Sequence, residues 1–422
     1  MNKVGGGAWC ESTNVVISNC VFSNNVANLA GGGVKKGKLN NCVLTKNAAR
    51  TVGGGADSSV LSNCTLSNNF TGIYSPYLPQ DEITPLFITD NSGAGAAKSW
   101  LDNCLLTGNQ AIVGVGGAAT SSQLVNCKLI GNLAYYGAGA DSSTLNNCLI
   151  VSNSAYTSGG GTYGGALTNC LISGNYAGEV GGGGFLANLD NCTIIKNSSP
   201  KGAGVAGGMV HNAVVYFNSP ENFDNITYIS PMSYCCTTPT HTGIGNFTNN
   251  PAFVDVAMDN FRLQTNSPCI NVGNGSSSAT DLDGRPRIVG GQIDLGAYEF
   301  QGVGIGEFIA WLQQYGISTG GAADYLNADG DGLNNWQEWI AGTIPTNASS
   351  VLLLAPPANT LAGVTVTWQS VSNRTYYLQA STNLTAQFIS IQSNLVGQTG
   401  STSYVDMTAT NGASYFYRVG VQ

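Results

Sequence analysis

The chain has 422 residues, of which only 9% are charged and 57 are Gly, and its 15 Lys and Arg stand against 23 Asp and Glu for a net charge of -8. That balance argues against a nucleic-acid partner, whose phosphates require a basic surface. No run of 18 apolar residues is present, so nothing in the chain has the composition of a membrane-spanning helix.

From the N-terminus, an Asn-Cys pair recurs at Cys20, Cys42, Cys64, Cys104, Cys127, Cys148, Cys170 and Cys192, at steps of 22, 22, 40, 23, 21, 22 and 22 residues. A fixed period of that length is the signature of a solenoid. Each Cys is followed five positions later by another Asn, from Asn25 to Asn197. An aliphatic residue stands three before each Cys, from Ile17 to Leu189, and a large apolar one two after it, from Phe22 to Ile194. The offset of two marks a strand, and offsets of minus three and zero are out of phase for one straight strand. The pattern therefore predicts two short strands per repeat with a bend at the Asn between them, and a third strand near the Gly runs at 31–33, 53–55, 159–161 and 181–184. Coils of this size built from short strands make a parallel β-helix, predicted here with nine coils. Stacked Asn amides are expected to bond along the axis, with left-handed backbone at the bends, while Gly serves corners of positive φ or close backbone approach.

The repeat is interrupted between Asn69 and Lys98 by extra residues that include Tyr74, Tyr77, Asp81, Glu82 and Phe87, which predicts a projecting loop. A ninth coil carries Asn212, Val215 and Asn218 with Ala213 in the Cys slot. A slot that accepts a methyl group is a packing slot, so the ladder thiols are expected to be free and buried. Cys235, Cys236 and Cys269 are placed outside the ladder, with Cys236 and Cys269 a candidate disulfide that would staple the closing segment. Past residue 300, helical spacing at Phe308, Trp311, Leu312 and Tyr315 and again at 334–340 flanks Asn327, Asp329, Asp331, Gly332, Leu333 and Glu338. These match positions 1, 3, 5, 6, 7 and 12 of a calcium loop, with the Leu333 carbonyl as the seventh-position ligand, and predict one calcium ion. From about 351, alternating residues at 364–368, 375–379, 403–405 and 414–419 predict antiparallel strands. The domain reading is 1–300 for the β-helix with a closing segment from about 235, 301–348 for a helix-loop-helix calcium hinge, and 349–422 for a small β-module.

The residues Gly54-Gly55-Ala56, Gly116-Gly117-Ala118 and Gly164-Gly165-Ala166, with Phe22 to Asn25, Leu44 to Asn47 and Ile172 to Asn175, resemble the repeat of polymorphic outer membrane proteins and related bacterial β-helix surface proteins. Here Leu or Ile replaces that family's preferred Phe. The stretches 249–255 (Asn-Asn-Pro-Ala-Phe-Val-Asp), 267–270 (Ser-Pro-Cys-Ile), 281–287 (Asp-Leu-Asp-Gly-Arg-Pro-Arg) and 294–300 (Asp-Leu-Gly-Ala-Tyr-Glu-Phe) are similar to the closing segment termed choice-of-anchor Q. The loop at 327–338 resembles those of dockerin and thrombospondin type 3 repeats, with Asn327 in place of their Asp and Ile344 where a following Asp is frequent. The last module is similar to fibronectin type III. Together these resemblances imply a mainly β fold: a right-handed parallel β-helix of the pectin-lyase-like kind, a calcium hinge and a C-terminal β-sandwich.

The function expected is that of a non-catalytic, extracellular or cell-surface protein, adhesin-like or glycan-binding, acting as a monomer on a polysaccharide or surface protein. The alternative is a polysaccharide lyase or glycoside hydrolase of the β-helix type. Those chemistries need clustered acids and bases or paired carboxylates. Asp57 and Asp141 share a position in the repeat, but the coils between them carry Ala97 and Thr120 there. No catalytic residue is assigned. Candidate ligand contacts are Tyr74 and Tyr77 on the insertion and Tyr135, Tyr156 and Tyr176 just past the turn Asn of successive coils. Repeat sequence follows Met1 at once, with no leader segment, so the chain is expected to start inside its domain and export is inferred from the resemblance.

Overall fold

The computed structural model describes residues 4–72, 93–224, 226–275, 278–289, 292–301, 305–317, 327–383, 388–409 and 415–421. The chain divides into two compact units, Met1–Gly302 and Val303–Gln422.

The first unit is a parallel β-solenoid. Its strands stack coil on coil into parallel sheets of nine, ten and ten strands, and a fourth sheet of seven strands closes the coil. The register is uniform: Leu39 pairs with Leu61, Leu61 with Leu101 and Leu101 with Leu124, so the aliphatic position three before each Cys forms one buried column. The bends obey a rule of five. Left-handed backbone occurs at Gly53, Ser58, Asn63 and Asn68 in one coil and at Gly181, Leu186, Asn191 and Lys196 in another. From the second coil to the ninth there are thus three five-residue sides with left-handed corners and a fourth side of variable length. The Asn before Cys supplies one of these corners, with φ between 49 and 56° from Asn19 to Asn212, because Asn tolerates this region better than most residues. The Gly runs serve another. Gly53 has φ of 62°, and a Cβ on Gly54 would sit 2.3 Å from the Phe70 carbonyl oxygen.

The second Asn of each repeat forms the buried ladder. Asn109 Nδ2 donates to Asn132 Oδ1 at 2.9 Å and Asn132 Nδ2 to Asn153 Oδ1 at 2.9 Å, and the line continues from Asn25 to Asn218. The ladder thiols are buried from Cys42 to Cys192, while Cys20 is exposed on the first rung. The Cys42 thiol donates to the Asn40 carbonyl at 3.3 Å, and the Cys64 sulfur accepts from the Cys42 N–H at 3.4 Å. Ala213 is fully buried in the same slot.

Two sequence expectations need correction. The coil has four sheets, the fourth running from Val26–Ala27 to Tyr176–Ala177. There are ten coils, and Cys235 belongs to the ladder: Val214 pairs with Cys236, which places Cys235 directly after Ala213 in the column. Its thiol donates to the Val210 and Ser233 carbonyls, as Cys192 does to those of Leu167 and Asp190, and burial pushes it up to about 12. The closing segment lies along the flank of the solenoid. Phe253, Phe261, Leu263, Cys269, Leu295 and Tyr298 pack on Leu171, Ile195, Val214 and Cys236, which face outward from the third sheet. Gly296 makes this possible, since a Cβ there would meet Thr193 Oγ1 at 2.6 Å.

The segment's acidic motif is a buried polar cluster. Asp281, Arg287 and Asp294 are fully buried, and Glu299 nearly so. Asp281 accepts from the N–H groups of Asp283, Arg285 and Glu299, Asp294 from those of Asn271 and Phe300, and Glu299 from those of Val289 and Asp294. Arg287 Nη2 donates to the Asp294 and Gly296 carbonyls. Burial outweighs these donors and the guanidinium, raising Asp281 and Asp294 to about 6 and Glu299 to about 8.

In the second unit, helix α1 (Ile305–Gln314) and helix α2 (Asn335–Ala341) meet through the Phe308 and Trp339 rings, 5.3 Å apart. Two three-stranded antiparallel sheets follow. Gly363–Ser370 is central in one and Thr375–Ser381 in the other, and the buried Trp368 and Tyr376 rings approach to 5.9 Å.

Two outcomes are expected. Asn132→Ala removes the acceptor of two buried Asn109 donors and should cost at least about 2 kcal/mol in denaturant unfolding, whereas Cys148→Ala, copying Ala213, should cost about 1 kcal/mol or less. In addition, the three buried carboxyls hold protons in the folded chain that the unfolded chain has released, so their contribution is lost as pH rises through about 6 and then about 8. Thermal unfolding of the solenoid should therefore shift upward from pH 9 to pH 6; a flat or falling transition temperature over that interval would contradict the assignment.

Candidate functional site

The acidic loop between the two helices is the most developed site. Asn327 Oδ1 accepts from the Gly330 N–H at 2.7 Å, Asp329 Oδ1 from the Asp331 N–H at 3.2 Å and Asp331 Oδ1 from the Leu333 N–H at 2.7 Å. These short-range bonds curl the loop, and Gly332 takes the sharp turn at φ of 101°. Asn334 then starts α2 with a reciprocal capping box: its side chain accepts from the Gln337 N–H, and the Gln337 side chain accepts from the Asn334 N–H. This cap places Glu338 on the first turn of the helix, fully buried and facing back to the loop.

One ligand oxygen each from Asp329, Asp331 and Glu338 lies within 4.8 Å of the others. Asp329 Oδ2, Asp331 Oδ2 and Glu338 Oε2 are buried without a hydrogen-bond partner among the described residues. Burial, and then the Asp329 and Asp331 charges, raise Glu338 to about 7. Three converging carboxylates with unpartnered oxygens repel one another, and the donor set, all oxygen, suits a hard divalent cation. The residues present therefore fit the calcium group their spacing implies. Asn327 and Leu333 stand at the loop positions assigned to them, Asn327 already anchoring the turn. At the far end of α2, Arg374 donates from Nε to the Ile340 carbonyl and from Nη2 to the Trp339 carbonyl, both at 2.8 Å, so the exiting helix is held to the turn that joins the two antiparallel sheets.

The ligand-contact tyrosines are only partly brought together. Tyr74 and Tyr77 lie outside the described residues. Ala134 pairs with Ala155, which sets Tyr135 beside Tyr156 at the start of a bulge. Ser154, however, pairs with Tyr176, so Tyr176 is two residues out of line with Tyr156. Tyr156 and Tyr176 are each about half exposed. Another aromatic line went unread in the sequence: Tyr136, Tyr163, Phe185 and Tyr228 contact edge to face at 5.5, 5.3 and 4.9 Å. Cys236 and Cys269 come together in the flank cluster as free thiols, and contact with Cys269, followed by burial, raises the Cys236 thiol.

Asp57 and Asp141 do occupy one column, with Ala97 and Thr120 between them. Three coil steps separate them by roughly 14 Å. Asp57 is instead paired with Lys35 on the neighbouring coil. A second acid-base contact was also missed. His211 Nδ1 lies 3.0 Å from Asp190 Oδ1, and Tyr234 stands edge-on to the His211 ring at 5.8 Å. Asp190, His211 and Ser233 follow one another in a single register column beside a groove of 490 Å³ lined in part by Met209 and Met232. The 21-residue step from Asp190 to His211 equals one coil, so the pairing was available from spacing alone.

Among the described residues, no helix is long and apolar enough to cross a membrane. No family model matches the chain, and no curated protein shows significant similarity to it. Solved structures with some likeness include HetL, a pentapeptide repeat protein involved in heterocyst differentiation regulation from the cyanobacterium Nostoc sp. strain PCC 7120, at 10% identity and a TM-score of 0.19, covering 55% of this chain and 82% of that one. QnrB1, a plasmid-mediated fluoroquinolone resistance protein, is similar at 10% identity and a TM-score of 0.20, covering 56% of this chain and 94% of that one. At those scores nothing is carried over to this chain; its solenoid stands on its own strand register.

Proposed function

We propose that the chain is a non-catalytic, secreted or cell-surface protein of bacterial type, a right-handed parallel β-helix of the pectin-lyase-like kind that binds a polysaccharide or a surface protein as a monomer. The observation that carries this reading is the solenoid wall itself: its stacked strands hold Tyr156 and Tyr176 on neighbouring coils, two residues out of line and each about half exposed. Aromatic rings offer sugars a flat apolar surface at low entropic cost. Low charge and the surface-protein resemblance support the extracellular setting. Incubation with neutral and acidic polysaccharides should give binding without new reducing ends or unsaturated products. Cleavage abolished by one acidic or basic substitution on the solenoid would replace this reading with the enzyme one.

The second reading, a polysaccharide lyase or glycoside hydrolase, is favoured by the His211–Asp190 contact beside its groove. If it holds, His211→Ala abolishes the cleavage.

In the second unit the loop binds one calcium ion through Asn327, Asp329, Asp331, the Leu333 carbonyl and Glu338, and the two antiparallel sheets form a small sandwich similar to fibronectin type III. Support comes from the three unpartnered carboxylate oxygens. When bound, the ion neutralises the carboxylates and ties the loop to α2. Calorimetry should show one ion bound by the unmodified chain and none by Asp331→Ala; a chain indifferent to calcium in melting and calorimetry contradicts the assignment.

On the same extracellular reading, Cys236 and Cys269 join as a disulfide, two thiols passing two electrons and two protons to molecular oxygen or a disulfide carrier. Protein recovered from an oxidising compartment should then titrate with ten thiols under denaturing conditions, and twelve would contradict the bridge.

A further inference from the structure

We propose that Lys36, Lys38, Lys98 and Trp100 form a subsite for an anionic polysaccharide, which rests on the glycan-binding reading above and names both the face and the ligand class. The register places these residues together although up to 64 positions separate them. Lys38, Val60, Trp100 and Gln123 are consecutive rungs of one column on the second sheet. Lys36, Ser58, Lys98 and Ser121 are left-handed corner residues, each two positions before its partner in that column. Lys38 and Trp100 are therefore two coils apart, as are Lys36 and Lys98, each pair about 10 Å from rung to rung.

Three properties distinguish this face. Trp100 is 50% exposed, an unusual placement for the largest side chain in a wall whose neighbouring rungs carry Val60 and Gln123. The three ammonium groups have no carboxylate partner among the described residues, whereas neighbouring Lys35 is paired with Asp57. The carboxylate that follows Trp100 on its strand, Asp102, accepts from Asn126 Nδ2 at 3.3 Å. A shallow groove of 270 Å³ runs beside Lys98 and Trp100, lined also by Thr13, Ser58, Ser121 and Gln123, while Lys36 and Lys38 stand outside its lining. In a chain with only 15 basic residues and a net charge of -8, three unpaired lysines around one exposed indole make a local field opposite to that of the whole molecule.

The chemistry that matches is a sugar ring stacked on the indole, with hydroxyl and amide groups beside it and carboxylate or sulfate groups placed for Lys98 and, two coils away, for Lys36 and Lys38. A small anion would not use Trp100.

The solenoid itself suggests substitutions that preserve the fold. Trp100→Gln and Lys38→Gln copy Gln123 in the same column, and Lys36→Ser and Lys98→Ser copy Ser58 and Ser121 at the same corner. Calorimetry of the full chain against polygalacturonate and chondroitin sulfate, with a neutral glucomannan for comparison, should show binding of the acidic polymers that weakens about tenfold between low and moderate salt. Trp100→Gln should weaken it by about tenfold, and the triple Lys variant should abolish it, with melting temperatures unchanged. Acidic-polymer affinity unchanged by Trp100→Gln, or binding that survives the triple Lys variant, overturns the subsite. Retained glucomannan binding in that case leaves the broader glycan reading standing, and no binding to any of the three polymers removes both. Equally tight, Lys-dependent binding of duplex DNA or polyglutamate overturns the assignment to carbohydrate.

Discussion

A coil that closes on itself every 21 to 23 residues must turn its backbone sharply several times, and every turn leaves polar groups inside the stack. The buried Asn column resolves this constraint. Asn132 illustrates the full set: its Oδ1 accepts from both the backbone N–H and the Nδ2 of Asn109, and its own Nδ2 donates to Asn153 Oδ1 and to the Leu106 carbonyl. Both amide hydrogens and both oxygen lone pairs are used, so a fully buried polar side chain carries no unsatisfied atom. Because each bond reaches the next coil, the column also enforces register: slipping one residue would leave an amide unpaired and move every aliphatic column out of the core.

Register in turn makes the surface a lattice. Once Leu39, Leu61 and Leu101 are stacked, the residue before each, Lys38, Val60 and Trp100, is stacked outside. Distances between side chains far apart in sequence become multiples of one spacing. The same lattice separates Asp57 from Asp141, brings Asp190 beside His211 and collects the lysines around Trp100. The closing segment uses it too, reading the outward apolar column of Leu171, Val214 and Cys236 as a dock, with Gly296 admitted close to Thr193 because it has no Cβ.

The features legible in the sequence were those that repeat. Cys and Asn spacing revealed the coil, the left-handed Asn corner and the Ala213 slot, and loop spacing alone located Asp329, Asp331 and Glu338. The fourth sheet was not legible because its side varies in length, with bulges near Val115 and Tyr136 that erase periodicity. Tyr176 fell out of line for a simpler reason: it follows its turn Asn directly, whereas Tyr135 and Tyr156 stand three residues after theirs. Cys235 was overlooked for a different reason: it lies 22 residues past Ala213, one full coil, and the sulfur-free rung hid the step. The flank position of the closing segment depends on contacts more than a hundred residues apart, such as the Ala297 N–H to Thr193 Oγ1, for which no local pattern exists.

Side-chain amides, and not backbone pairing alone, hold the coils in register. The backbone N–H groups of Asn47, Asn69, Asn109, Asn132, Asn153 and Asn175 donate to the Oδ1 of the next Asn and, among the described residues, to no backbone carbonyl. Amide hydrogen exchange resolved to single residues tests this directly. Those six amides should exchange as slowly as the buried strand amides beside them; exchange at the rate of exposed turns would contradict the ladder as the interaction on which the solenoid depends.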